Sequence, residues 1–327
     1  MAEPPRDSED RATDHPAGDS PEPNESPSPA PTGPVAGVGV AWLVTLGVST
    51  IPDMAWVHYI GSVPAGMIVF KAGLLAGMAV LGLAWKNLRH LCAYFTLLLV
   101  NVLGWWAIDR VRALPTVAAW EEDAGWVAGI MAIQLMKLAL AAVTILALLL
   151  VMRRRQAAFL TFGELGAPAK RVPWLGLMHP TPWKIFGPIV AVTAATMIGL
   201  FMWLANRPTA EVLTHTVPLV GTVLFYSLLN AFSEEISYRA SLVAPLHRAV
   251  GKNQAMALTA VFFGLAHYAG GVPLAVFPTL VMTGFLGWLM AKSLIETKGL
   301  GWAWFIHAVG DIPVFFFLAA NSVAAGQ

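Results

Sequence analysis

In the C-terminal third of this 327-residue chain, the run Leu228-Leu229-Asn230-Ala231-Phe232-Ser233-Glu234-Glu235-Ile236-Ser237-Tyr238-Arg239 sets two adjacent carboxylates and a guanidinium into an apolar segment. Two further apolar runs carry Phe262-Phe263-Gly264-Leu265-Ala266-His267-Tyr268 and Trp304-Phe305-Ile306-His307-Ala308-Val309-Gly310-Asp311. An ionisable side chain inside a membrane helix costs about 2.5–3.5 kcal/mol on insertion scales, so such groups turn toward the bundle interior and mark sites of function. Glu235 and Arg239 are four apart with the acid first, the favourable spacing for an ion pair on one helix face. Glu234 is rotated by about 100° from Glu235 and points elsewhere, without that partner. His307 and Asp311 are also four apart, which lets the carboxylate orient the imidazole or lets both reach a common ligand.

Helical rise sets the depth of each group. At 1.5 Å per residue, Glu234 lies roughly 15 Å from a helix end near Ala244, His267 about 20 Å from a start near Gln254, and His307 about 11 Å from Leu300. A shared buried site of Glu234, Glu235, His267, His307 and Asp311, open toward the cytoplasm, is therefore expected. Carboxylate and imidazole together can activate water as general bases. Glu234, His267 and His307 also suit a divalent metal such as zinc with an open position for water. Both routes lead to hydrolysis, and the residues leave both open. A lone Glu–Arg pair also serves as structural glue, and a proton-coupled transporter uses similar groups. Their concentration on three successive segments favours a shared site.

The elements that must position these residues are membrane helices. The chain is 57% hydrophobic and 12% charged, with a mean hydropathy of +0.65, against about 25% charged in an ordinary soluble domain. Apolar stretches lie near 35–52, 60–85, 91–108, 125–152, 185–205, 216–244, 254–268, 273–291 and 300–320. Crossing the hydrocarbon takes about 20 residues, and the run at 254–268 is short for a full span. An all-α, polytopic membrane helix bundle with about eight or nine transmembrane helices is expected. Residues 37–155 form its N-terminal helices, 156–184 a basic cytoplasmic loop, and 185–322 the core that holds the chemistry.

Charge is distributed unevenly. Residues 1–36 hold eight acids and two bases, −6, which leaves 18 bases and 11 acids, +7, for the rest. That segment also holds nine of the 23 prolines and no aromatic residue, the composition of a disordered, acidic, Pro-rich tail. It lacks the basic start and early apolar core of a signal peptide, so the run near Val35 reads as an anchor that stays in place. Lys and Arg gather at 86–89, 153–184, 248–252 and 292–298, while Trp120-Glu121-Glu122-Asp123 is acidic. Short cytoplasmic loops are enriched in basic residues, which places the tail in the cytoplasm and the chain in the plasma membrane as a multi-pass protein. Without a basic stripe there is no nucleic-acid partner to expect. The single Cys92 excludes intrachain disulfides and thiolate clusters. Lys71 and Lys137 sit within apolar runs, where they snorkel or pair.

The three polar clusters resemble a known family. EExxxR, then FxxxH, then HxxxN/D on successive C-terminal membrane helices is the signature of the CPBP intramembrane proteases, bacterial relatives of the type II CAAX prenyl endopeptidases. Here it reads Glu234 to Arg239, Phe263 to His267 and His307 to Asp311. The resemblance covers roughly residues 216–320. It implies Glu234 as the general base with His267 assisting, Glu235 and Arg239 as a supporting ion pair, and His307 with Asp311 facing the developing oxyanion. The prenyl proteases usually have Asn where this chain has Asp311. An ionised Asp cannot donate to an oxyanion, so Asp311 orients His307, is protonated or binds a cation. The HExxH of site-2 proteases is absent, and neither the serine setting of rhomboids nor the paired intramembrane Asp of aspartyl types is present. The implied function is hydrolysis of a membrane-associated protein or peptide. A non-proteolytic scaffold or immunity protein is the alternative, and membrane lipids are partners in either case.

Overall fold

The computed structural model describes Met1 and residues 35–268 and 273–326. Apart from Met1 and the first helical residues, the expected tail at 1–36 lies outside the described residues. Of the described residues, 81% are helical. The helices are α1 (Val35–Val48), α2 (Ile51–Ile60), α3 (Met67–Ala84), α4 (Cys92–Arg112), α5 (Pro115–Asp123), α6 (Gly125–Met152), α7 (Trp183–Asn206) and α8 (Ala210–Thr216). Then follow α9 (Val220–Glu234), α10 (Ser241–Val250), α11 (Lys252–Ala266), α12 (Pro273–Thr297) and α13 (Gly301–Ala324). Among the described residues, the strands are an antiparallel pair of two-residue segments, β1 (Pro168–Ala169) and β2 (Thr181–Pro182).

The expectation of eight or nine full spans is not met by length. Among the described residues six helices are long and apolar enough to cross a membrane, or seven if α1 and α2, bent by 45°, count as one broken span. The shortfall lies at α1, α11 and α12, none of which is among the six, and for the first two the reason is length. α1 has 14 residues and α11 has 15, about 21 and 22 Å at the helical rise, short of the roughly 30 Å of hydrocarbon.

Successive helices alternate in direction, which collects the loops at two ends. At one end, Trp42 Nε1 donates to Gln254 Oε1 at 2.9 Å, Phe159 meets the His247 ring, and Lys298 pairs with Glu164 at 3.1 Å. That end carries Lys86, Arg89, Arg153, Arg154, Arg155, Lys170, Arg171, Lys184, Arg248, Lys252, Lys292 and Lys298 against Glu164 and Glu296, a balance of twelve bases to two acids. At the opposite end Thr50 donates to the Leu265 carbonyl, Asn321 to Asn206, and Arg112 pairs with Glu121. Asp53, Asp109, Glu121, Glu122, Asp123 and Glu211 there face Lys71, Arg110, Arg112 and Arg207, six acids to four bases.

Two local features place the chemistry. The first is a π-helical turn, Glu235–Ala240, between α9 and α10, in which every residue is buried and Ser241 N–H reaches back five residues to the Ile236 carbonyl. Such turns break the 3.6-residue register and rotate side chains relative to a continuous α-helix. α4 supports it: Asn101 Nδ2 donates to the Ser237 carbonyl at 2.7 Å, and Trp105 stacks on Tyr238 at 5.7 Å. The second is the clamp that fixes where α13 starts. Leu300 N–H donates to the Thr161 carbonyl at 2.8 Å, Gly301 N–H to Phe162 at 3.1 Å, and Glu164 N–H to Thr297 at 2.7 Å. Gly163 lies in the middle of this seam at φ +80°, where an added Cβ would come within 2.4 Å of the Thr297 carbonyl. Gly163→Ala is therefore expected to destabilise the protein by about 1–3 kcal/mol, read as a lower unfolding temperature in detergent. Gly166→Ala, whose Cβ would meet nothing within 4 Å, should unfold with the parent.

Candidate active site

Glu234 ends α9, Glu235 opens the π turn, and α13 brings His307 and Asp311 against both. His307 Nδ1 is 2.8 Å from Glu235 Oε1, and its Nε2 is 3.7 Å from Glu234 Oε2 and 3.6 Å from Asp311 Oδ2. With Nδ1 donating to Glu235, the ring is fixed so that Nε2 faces the other two carboxylates. Glu235, rather than Asp311 on the same helix, is therefore the group that orients His307. Glu235 stands at the junction of α9 with the π turn, rotated from Glu234 toward α13. Asp311 Oδ2 instead accepts from Asn230 Nδ2 at 2.9 Å.

The expected Glu235–Arg239 pair forms, with Nε 3.7 Å from Oε1 and both side chains essentially buried. The guanidinium lies over the Phe263 ring, its Cζ 3.6 Å from the centroid. Glycine at 287 leaves room for it, since an added Cβ would stand 3.4 Å from Arg239 Nη2 and 3.1 Å from Phe263 Cδ1. His267 follows α11, half-buried, its Nδ1 2.8 Å from the Phe263 carbonyl. Phe263 thus touches Arg239, His267 and His307, with ring centroids 4.4 Å from the first histidine and 5.9 Å from the second.

Two polar residues that the motifs do not contain complete the cluster. Lys137 on α6 donates to Glu234 Oε1 at 2.8 Å and to Asn230 Oδ1 at 2.6 Å. Asn230 lies one helical turn before Glu234. The available sign for Lys137 was a lysine within an apolar run; its partner could be named only once α6 was packed against α9.

Glu234, His267, His307, Asp311, Asn230 and Lys137 line one cavity of about 1130 Å³. Glu235 and Arg239 stand behind its wall. Glu234 Oε2 makes no hydrogen bond within the described residues and is the carboxylate oxygen beside His307 Nε2. From here the cavity passes the buried Lys71–Asp53 pair and reaches Val63, Pro64, Ala65, Asp109 and Arg110 at the acidic end. No residue of the basic end lines it. The cavity thus reaches the end opposite the one where the basic loops gather.

The expected metal set, Glu234, His267 and His307, is not gathered around a common point: among the described residues no group of three His, Cys, Asp or Glu side chains is arranged to hold an ion. Glu234 Oε1 is held by Lys137, while the bonds at Nδ1 of both histidines leave each Nε2 without one. Removing one member of a buried ion pair strands the other charge, at a cost of about 3–5 kcal/mol. Arg239→Met should therefore destabilise the protein by that order in detergent unfolding, and Arg239→Met with Glu235→Gln should recover part of the loss.

No curated protein and no solved structure matches the chain. Residues 216–312 match the family model described as Rce1-like, type II CAAX prenyl endopeptidase. That stretch contains all six motif residues of the site and ends one residue beyond Asp311, while Lys137 lies outside it. The family that residues 216–312 support is that of the CPBP and CAAX proteases, the one its three motifs resemble.

Proposed function

We propose that this protein is an intramembrane endopeptidase that hydrolyses a peptide bond of a membrane-associated protein or peptide with water activated by Glu234. The observation that carries this reading is the division of labour at Glu234, which lines the cavity: Oε1 is held by Lys137, while Oε2, 3.7 Å from His307 Nε2, has no hydrogen-bond partner among the described residues. As water attacks the scissile carbonyl, Oε2 takes one of its protons, the carbon–oxygen bond forms, and the carbonyl electron pair moves onto oxygen. The same proton then passes to the leaving nitrogen as the carbon–nitrogen bond breaks. His267, with Nδ1 donating to Phe263, presents Nε2 as an acceptor for the water's second hydrogen. His307, held by Glu235 and carrying a proton on Nε2, donates to the oxyanion. Asp311, held by Asn230 and 3.6 Å from His307 Nε2, cannot donate when ionised and instead favours the protonated form of His307 by its charge.

On this reading the chain passes the membrane nine times, with α1 and α11 crossing as short helices. Basic loops face the cytoplasm, so the N-terminal tail is cytoplasmic and substrate approaches from the acidic side or from the bilayer facing it. In a Cys92→Ala background, Ala65→Cys should react with a membrane-impermeant maleimide applied to intact cells, and Gln156→Cys should not. The opposite pattern would reverse the orientation.

Two assays test the chemistry. Membranes from cells carrying the parent or Glu234→Gln are compared by proteomics for a precursor that accumulates only with the variant. Detergent-purified protein is also given a farnesylated CAAX peptide and its unprenylated analogue. Cleavage by Glu234→Gln should fall by at least about 100-fold with folding intact. Undiminished cleavage, or no precursor and no peptide cut, would point instead to a scaffold or immunity role.

A further inference from the structure

Lys137 lies on α6, and no part of the Rce1-like stretch 216–312 includes it. It nevertheless touches Glu234 more closely than any other ionisable side chain does among the described residues: 2.8 Å, against 3.7 Å for His307. On the protease reading, we propose that Lys137 is a positioning residue for water activation. It supplies the counter-charge of Glu234 and, by occupying Oε1, leaves the unbonded Oε2 as the oxygen that takes the proton.

The argument rests on what each neighbour of Glu234 can offer. The π turn contributes Glu235 and Arg239, but the guanidinium lies over Phe263 and leans toward Glu235. From α13 come His307 and Asp311, of which the histidine is tied to Glu235 and the aspartate to Asn230. His267, after α11, is bonded to a backbone carbonyl. Tyr238 packs between Trp105 and Phe263, and Asp109 of α4 lies at the far end of the cavity. Lys137 is thus the cation with a direct bond to the carboxylate, and its side chain is 16% exposed.

Its own position is fixed on three sides. Asn230 Oδ1 and Glu234 Oε1 accept from it, and the Trp105 ring lies 5.2 Å from Nζ. Asn230 in turn donates to Asp311, so one amide sets the spacing between the Lys137–Glu234 pair and the His307–Asp311 pair. A cation near a carboxylate favours its charged form, the form that accepts a proton from water. The ammonium keeps its own protons throughout. It acts through Glu234 and does not touch the reacting atoms.

Full-length protein in detergent is tested as Lys137→Met, Lys137→Arg, Glu234→Gln and the double variant Lys137→Met with Glu234→Gln, each first checked for folding by its unfolding temperature. Infrared spectroscopy at neutral pH should show a new protonated-carboxyl band in Lys137→Met that disappears in the double variant and is absent from Lys137→Arg. With the peptide or precursor cut by the parent, Lys137→Met should lose at least about tenfold in kcat with KM little changed, and Lys137→Arg should recover most of the loss. A Lys137→Met protein without the new band, or one that cleaves at the parent rate, overturns the proposal. If Lys137→Met fails to fold, the decision passes to Lys137→Arg, and loss of kcat there despite a retained charge would overturn it. Parent-like cleavage by Glu234→Gln would instead overturn the protease reading, and the infrared result would still decide the role of Lys137.

Discussion

Charged groups buried in a membrane bundle must neutralise one another, and in this protein that requirement organises the site. Lys137 and Arg239 face Glu234, Glu235 and Asp311, two cations against three anions, and one proton on His307 or Asp311 brings the cluster to neutrality. Each charge bonds to or packs against another polar or aromatic group, so no member can be moved alone. Asn230 and Phe263 act as spacers: the amide bridges Lys137 and Asp311, and the ring separates Arg239 from both histidines. The surroundings of the cluster, with few dipoles to respond, make these contacts strong and their loss costly.

The fold meets this requirement with irregular elements. Two adjacent glutamates on an uninterrupted α-helix would diverge by about 100°. That divergence separates their tasks, with Glu234 bonded to Lys137 of α6 and Glu235 to His307 of α13, and the π turn that follows packs Arg239 beside Glu235. The turn is held by Asn101 and Trp105 of α4, so an N-terminal helix supports the geometry of the C-terminal motifs. In the same way the loop from Thr161 to Glu164 fixes the start of α13, and with it the depth of His307. The site therefore depends on segments well outside residues 216–312.

Much of this was legible in the sequence because a charge in an apolar helix is conspicuous. Glu234, Glu235, Arg239, His267, His307 and Asp311 could be picked out by type and context, and the structure brings all six into one neighbourhood. The apolar runs likewise announced the helices, although α1 and α11 are too short to cross unaided. Pairings across the bundle were hidden, since nothing local says that Lys137 meets Glu234 or that Glu235 reaches His307 ahead of Asp311. The π turn was hidden as well, because EISYRA carries no glycine or proline to mark a change of register. The direction of the cavity was misread for a related reason. Depth along single helices does not reveal which end the loops close.

In the proposed mechanism a water molecule, activated at Glu234, enters the product. The most direct measurement is a single-turnover cleavage by the purified protein in H2 18O, with mass spectrometry of both the new peptide C-terminus and the enzyme. The account expects one 18O in the product carboxylate and none in the enzyme peptide that contains Glu234. A product without 18O, or label first appearing on Glu234, would contradict it.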